Sequence, residues 1–180
     1  MESGERLYRA SANAHFSGGI GDTVRTCLGM KRYDSGSMRI ALKKLSPDAV
    51  LPEYAHGPAE DAGMDLRSIA SVILAPGVPQ AIPTGIAIAL PAGYEAQVRP
   101  RSGLALKHAI TLPNSPATID PGYRGEIRVI LLNLGSAEYR IEKGDRIAQL
   151  VIAKYEAVEW EERELNETAR GAGGFGSSGR

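Results

Sequence analysis

The segment from Thr118 to Glu126 holds the densest set of groups that could do chemistry. Asp120 and Tyr123 flank a Pro-Gly pair, in which proline fixes its φ near −65° and Gly122 accepts a positive φ, so the sequence predicts a tight turn. A carboxylate on a rigid turn beside a sheet is suited to general-base catalysis, and both side chains could face one cavity. An ordinary hairpin turn, in which the Asp caps main-chain N–H groups, explains the same residues.

Three further segments carry polar groups that could contribute to a site. Asp65 follows a glycine in the segment 62–68, where a solvated turn is the alternative. Arg101, Ser102 and Gly103 stand at the start of a short predicted helix, whose N–H groups and dipole favour an anion. There the alternative is a Ser N-cap with two solvated arginines. Gln149 offers an amide from a predicted strand, unless that strand is an edge strand with Gln149 facing water.

The C-terminal segment combines many glycines with one Arg and one Phe. A flexible spacer explains such a composition. Glycine N–H groups can also wrap phosphates, Arg170 can neutralise developing charge, and Phe175 can stack on a base. The second interpretation predicts a lid that becomes ordered over a nucleotide.

Short strands separated by Gly and Pro turns predict an all-β sandwich or barrel. Only Ser102–His108 has a helical pattern. The strand 127–134 is apolar on both faces, which predicts a second layer or a subunit interface. Predicted strands cover residues 39–45, 72–74, 84–90, 94–99, 127–134, 139–141 and 146–152, with a short final strand at Val158–Trp160.

Composition excludes several classes of function. Lys+Arg and Asp+Glu both number 21, so we expect no attraction to nucleic acid or membrane. Cys27 is the only cysteine, and the three histidines share no metal-ligand spacing, so we expect neither disulfides nor a protein-built metal site. The sequence has no apolar run of about 20 residues and no secretory pattern, which favours a cytoplasmic protein. We expect 1–37 to be a disordered extension, 38–160 a β domain and 161–180 a flexible arm with a glycine-rich lid.

Five segments, taken in their order along the chain, closely resemble the motifs of the homotrimeric deoxyuridine triphosphatase (dUTPase) family. They read AGMDLRS at 62–68, PRSGLALK at 100–107, NSPATIDPGYRGEI at 114–127, GDRIAQLVI at 144–152 and RGAGGFGSSG at 170–179. The resemblance implies a jelly-roll-like β-barrel or sandwich with one short helix. It also implies a homotrimer with three sites at subunit interfaces. Each site takes the first, second and fourth motifs from one subunit, the third from another and the fifth from the remaining one.

The family's activity implies hydrolysis of dUTP to dUMP and pyrophosphate with Mg²⁺, which keeps dUTP low and supplies dUMP for thymidylate synthesis. The resemblance makes Asp120 the carboxylate that activates the attacking water, and Asp65 an acid that supports the site and the magnesium water shell. The substrate-binding positions that it implies are Arg101, Ser102, Gly103, Asn114, Thr118, Asp120, Tyr123, Gln149, Arg170, Phe175 and Gly176. Asn114 would read uracil, Tyr123 would pack under the deoxyribose, and Arg101, Ser102, Gly103 and Gln149 would hold the phosphates. Ala117 and Ser178 depart from the usual Gly and Thr of the family.

Two other functions fit the same scaffold. Deoxycytidine triphosphate deaminase uses a Glu on the strand after the turn, where this chain has Ile130, and isoleucine cannot shuttle a proton. A non-catalytic nucleotide sensor should lack the base, the lid or the phosphate arginine, but Asp120, Arg170 and Arg101 are all present. Hydrolysis of dUTP is therefore the favoured activity.

Overall fold

Short antiparallel strands make up most of the regular secondary structure. The computed structural model describes residues 38–174, and the predictions for 1–37, Phe175, Gly176 and Ser178 lie outside this range. The elements in chain order are β1 (Ala41–Lys44), β2 (Met64–Arg67), β3 (Val72–Leu74), β4 (Gln80–Pro83), β5 (Ile86–Ala89), β6 (Tyr94–Arg99), α1 (Ser102–His108), β7 (Ile110–Thr111), β8 (Ala117–Ile119), β9 (Arg128–Asn133), β10 (Tyr139–Ile141) and β11 (Arg146–Lys154). The prediction of an all-β fold with one short helix is confirmed.

The strands form four small sheets. The largest has the order β2-β11-β6-β8, and a three-stranded sheet has the order β4-β9-β7. The pairs β1-β5 and β10-β3 complete the set. Every strand pair is antiparallel, and within residues 38–174 the sheets do not close into one barrel.

One cluster of buried side chains joins the inner faces of the two larger sheets. Ala96 and Val98 of β6 and Leu150 of β11 contribute from one sheet, and Val129 and Leu131 of β9 contribute from the other. Side chains alternate between the two faces of a strand, so the residues between these positions point away from the core. On β9 the outward residues are only half-buried. The predicted second layer or subunit interface over that face therefore stays a prediction.

The final predicted strand is wrong. The last strand of the described chain ends at Lys154, so Val158–Trp160 lies outside every strand of that range. The side chain of Val158 is 65% exposed and that of Trp160 is 94% exposed. The alternation of apolar Val158 and Trp160 around Glu159 resembles a short strand. A strand forms only where the main-chain groups of a neighbouring strand pair with its own. In the range 38–174, no helix is long and apolar enough to cross a membrane.

Asn133 is the last residue of β9, and it is a buried polar residue. Its Nδ2 donates to the main-chain oxygens of Leu74 at 2.9 Å and Ala137 at 2.8 Å, and its Oδ1 accepts from the N–H of Gly135 at 2.8 Å. One side chain thus satisfies three main-chain groups and joins β3 to the loop after β9.

We expect Asn133→Ala to lower the free energy of unfolding by about 3 kcal/mol, because it leaves main-chain groups unpaired beside the core. Urea unfolding at matched protein concentrations measures the change. The control is Gln80→Ala, which removes a solvent-accessible hydrogen bond to the Ile73 carbonyl and should cost less than about 1 kcal/mol. Equal losses from the two variants would contradict the role of Asn133.

Candidate active site

The predicted site residues of the four-stranded sheet share its outer face. Asp65, Gln149 and Arg99 lie directly opposite one another on β2, β11 and β6. Two residues further along β6, Gln97 is paired with Thr118 of β8. Since residues two apart point to the same side of a sheet, all five side chains project from the face opposite to the core.

A buried carboxylate between two guanidinium groups lies at one end of this face. The Asp65 side chain is 10% exposed, and its Oδ2 accepts a hydrogen bond from Nη1 of Arg146 at 3.1 Å. Nε of Arg101 lies 3.2 Å from Oδ1, yet the pair lacks hydrogen-bond geometry and Oδ1 has no hydrogen-bond partner. We therefore regard the contact with Arg101 as an ion pair. Two guanidinium groups beside one carboxylate leave donors for a phosphate group, while Asp145 and Glu53 balance the remaining arginine charge along the adjoining cavities.

Arg101 also sets the start of the helix. It occupies the N-cap position of α1 without a side-chain cap, so the alternative of a Ser102 N-cap is wrong. Nη1 of Arg101 donates to the main-chain oxygen of Arg146 at 3.0 Å, so Arg101 is not simply solvated. Ser102 and Gly103 are exposed in the first turn, where main-chain N–H groups have no intrahelical acceptor.

Gln149 lies on a central strand. β11 pairs with β2 on one side and β6 on the other, so the edge-strand alternative is wrong. A side chain at Gly63 would meet Cβ of Gln149 at 3.3 Å, which shows how closely the backbone before Asp65 packs on this glutamine. The structure therefore brings Asp65, Arg101 and Gln149 into one cluster, called below the phosphate half-site.

Asp120 and Tyr123 flank a turn, as predicted, but the turn does not use the expected glycine conformation. The Tyr123 N–H donates to the Asp120 oxygen at 3.1 Å. Gly122 is not among the residues of 38–174 with a positive φ, so that part of the prediction is wrong. Asp120 and Tyr123 are both exposed, and Asn114 is exposed in the loop before β8. These residues, with Thr118, form what is called below the turn half-site.

Glu126, to which the motif resemblance gave no role, anchors the turn half-site. Its Oε1 accepts from the Gly85 N–H at 2.8 Å, and its main-chain oxygen accepts from the Tyr123 hydroxyl at 3.0 Å. The Tyr123 ring lies directly over Gly125, where an added Cβ would be 2.4 Å from the hydroxyl oxygen and 2.6 Å from Cζ. Gly125 is therefore needed for close approach of the ring to the backbone.

The two half-sites of one chain lie far apart. Asp65 is level with Arg99 of β6, because both pair with Gln149 of β11. Asp120 follows Ile119, which pairs with Ala96 near the other end of β6. With strands near 4.8 Å apart and a rise of about 3.4 Å per residue, Asp120 is about 14 Å across the sheet and about 13 Å along it from Asp65. The structure therefore does not bring Asp120 to the phosphate half-site of its own chain.

The dUTPase family model matches residues 51–179 of this sequence. The chain belongs to the dUTPase family. Curated relatives agree over most of their length. The deoxyuridine 5'-triphosphate nucleotidohydrolase of Solibacter usitatus is 63% identical over 143 residues, which cover 79% of this chain and 97% of that protein. The enzyme of the same name from Rickettsia massiliae is 57% identical over 145 residues, covering 78% and 97%.

Solved structures of dUTPases have the same fold. A mutant dUTPase of Staphylococcus bacteriophage 80alpha with dUpNHpp has a TM-score of 0.70 and 31% identity, covering 80% of this chain and 100% of that one. A mutant dUTPase from phage phi11 of S. aureus, described as coordinating a structural Mg(II) ion, has a TM-score of 0.67 and 27% identity, covering 73% and 100%. The predictions of a jelly-roll-like dUTPase fold and of a dUTP diphosphatase are confirmed.

The residues fit Mg²⁺ through water better than by direct ligation. Among residues 38–174, no group of three or more His, Cys, Asp or Glu side chains could hold a metal ion. Asp65 is already neutralised by Arg101 and Arg146, which makes it a poor direct ligand for a cation. Its Oδ1 has no hydrogen-bond partner, but the atom is buried in the single chain, so a magnesium-bound water reaches it only after a local rearrangement.

We expect Gly125→Ala to lower kcat/KM of this dUTPase by about 10–100-fold, because the new methyl group displaces the Tyr123 ring from its position. Pyrophosphate release measures the effect. The matched control is Gly122→Ala, where nothing lies within 4 Å of the added Cβ, and its kinetics should match wild type. Similar losses in both variants would show that the clash with Tyr123 is not the cause.

Proposed function

We propose that this dUTPase hydrolyses dUTP to dUMP and pyrophosphate at sites that each combine the phosphate half-site of one subunit with the turn half-site of another. The observation that supports this proposal best is the sheet register, which puts Asp65 on β2 and Asp120 after β8 at opposite ends of the four-stranded sheet, roughly 20 Å apart at ordinary strand spacings. A general base must lie within hydrogen-bond reach of the water that it activates. A second copy therefore has to supply Asp120.

The phosphate half-site holds the triphosphate. The guanidinium of Arg101, which Asp65 holds in place, attracts the phosphates, and Ser102, Gly103 and Gln149 add hydrogen-bond donors. These donors neutralise charge as it develops on the transferred phosphoryl group.

The turn half-site supplies the base and reads the nucleoside. Asp120 takes a proton from water as the water oxygen bonds to the α-phosphorus. The α–β bridging P–O bond breaks, and pyrophosphate leaves. Tyr123, held by Glu126, packs under the deoxyribose, while Asn114 and Thr118 line the uracil end. Exposure of Asp120 in the single chain fits this role, because a partner subunit must reach it.

The third contribution is the C-terminal arm. We assign Arg170, with Phe175 and Gly176 from the motif, to a lid that closes over phosphate and base. In the single chain Arg170 is exposed, and its Nε donates to the Gly173 oxygen of its own turn at 2.9 Å. Such a contact is weak enough to be exchanged for a phosphate. We propose a homotrimer, in which a third subunit provides this arm.

Mg²⁺ fits this site as an ion held mainly by the substrate phosphates, and we assign Asp65 to its water shell, after a local rearrangement that uncovers the buried Oδ1. When bound, it neutralises phosphate charge. Asp65 itself keeps Arg101 in place. We further propose that the enzyme works in the cytoplasm, where its product dUMP is used for thymidylate synthesis.

We expect Asp120→Asn to lower kcat for dUTP by about 10²–10⁴-fold, because the amide cannot take the proton from water. The Kd for dUpNHpp should stay within about threefold of wild type, since shape and polarity change little. Pyrophosphate release from dUTP, dCTP, dTTP and UTP, measured together with ammonia release from dCTP, gives the activity. Near-normal turnover by the variant would refute the role of Asp120. Ammonia release by the wild type would indicate a deaminase, and binding without turnover would indicate a sensor.

We expect two inactive variants to complement each other, because each site takes Asp120 and Arg101 from different subunits. Asp120→Asn and Arg101→Ala chains are co-expressed with different tags, and mixed trimers are purified through both tags. In a cyclic mixed trimer one site in three regains both residues, so activity should reach about a third of wild type. Doubly tagged trimers of either variant alone should stay inactive. Inactive mixed trimers would contradict sharing of the site.

A further inference from the structure

The carboxylate of Asp65 depends on one hydrogen bond. Across residues 38–174, its only hydrogen-bond donor is Nη1 of Arg146, at 3.1 Å from Oδ2. Oδ1 has no hydrogen-bond partner, although Nε of Arg101 lies 3.2 Å away. Without the Arg146 side chain, this buried carboxylate keeps no hydrogen bond among the described residues, and its orientation toward Arg101 is then fixed only by packing and the ion pair.

Arg146 contacts Arg101 by a second route. Its main-chain oxygen accepts from Nη1 of Arg101 at 3.0 Å. Arg101 is thus fixed at Nε by Asp65 and at Nη1 by Arg146, which leaves Nη2 as the part of its guanidinium without a bond to either residue. A guanidinium held at two positions presents its remaining donors in one orientation, and less entropy is lost when a phosphate binds.

The other arginines of the sheet cannot take over this task. Arg67 lies opposite Arg146 on β2, but its Nη1 donates to the Gly144 oxygen at 2.7 Å. Arg99 is turned along β6, where its Nε donates to Oε1 of Gln97 at 3.0 Å. Arg146, by contrast, is 44% exposed and borders the cavity that also contains Arg101, Leu104, Tyr139 and Asp145.

We propose that Arg146 is a positioning residue of the phosphate half-site, which acts through Asp65 to hold Arg101 in its phosphate-binding orientation. The proposal rests on the proposed function, because it takes Arg101 as a ligand of the substrate phosphates. It assigns Arg146 no contact with substrate. The effect of Arg146 should therefore depend entirely on Asp65.

A double-mutant cycle tests this dependence. Arg146→Gln and Asp65→Asn should each weaken the Kd for dUpNHpp by about tenfold, the loss expected for one charge-assisted hydrogen bond. The double variant should bind no more weakly than Asp65→Asn alone, because residues that act as one unit are not additive. KM for dUTP should rise and kcat should fall in the same order across the variants, because Arg101 both binds the phosphates and neutralises charge that develops in the transition state.

Two further variants complete the experiment. Arg146→Lys keeps one charged donor and should restore part of the affinity. Arg67→Gln removes an arginine at the paired position that does not contact Asp65, so its Kd should equal that of wild type. Circular dichroism and thermal unfolding establish that each variant is folded, and Arg146→Lys carries the test if Arg146→Gln does not fold.

Three results would overturn the role of Arg146. These are an unchanged Kd in folded Arg146→Gln or Arg146→Lys, additive losses in the double variant, and an equal loss in Arg67→Gln. Additive losses would mean that Arg146 touches the nucleotide directly. A parallel titration with inorganic tripolyphosphate needs no hydrolysis and tests the same coupling. If the wild type releases no pyrophosphate from dUTP, the proposed function fails while the tripolyphosphate cycle still decides the role of Arg146.

Discussion

The register of β11 between β2 and β6 determines where the groups of this site lie. β11 places Ala148 and Leu150 in the core, so Gln149 must point outward beside Asp65 and Arg99. A slip of one residue would bury Gln149 and expose both apolar neighbours, at a cost that the core does not permit. The register that buries the apolar side chains of β11 therefore also places Gln149 beside Asp65.

Charge balance adds a second constraint at this end of the sheet. Burying Asp65 is tolerated because two guanidinium groups surround it, and those groups are in turn held apart by the carboxylate. The arrangement joins the beginning of α1 to the beginning of β11. Arg101 of the second motif and Arg146 of the fourth motif thus both contact Asp65 of the first, and the position of each depends on the other two.

Local patterns predicted much of the fold. Val72–Leu74, Tyr94–Arg99, Ser102–His108 and Tyr139–Ile141 appear with the predicted bounds, because alternation and Gly or Pro punctuation are properties of short segments. The strands β2, β4, β7 and β8 were not predicted, since they are two to four residues long and exist only through pairing with distant strands. At the site, motifs indicated the chemical types. Bonds between residues 81 and 45 apart in the chain, which join Arg146 to Asp65 and to Arg101, leave no local trace.

The contact of Tyr123 with Gly125 has a consequence for how this chain can vary. A side chain at position 125 and an aromatic ring at position 123 compete for one volume. A larger residue at 125 therefore displaces the Tyr123 ring unless residue 123 is smaller, whereas a smaller residue at 123 creates no clash with Gly125. Libraries that vary this turn should randomise both positions jointly, because a single-site scan would test each larger residue at 125 only against the full-sized ring and conceal the allowed pairs.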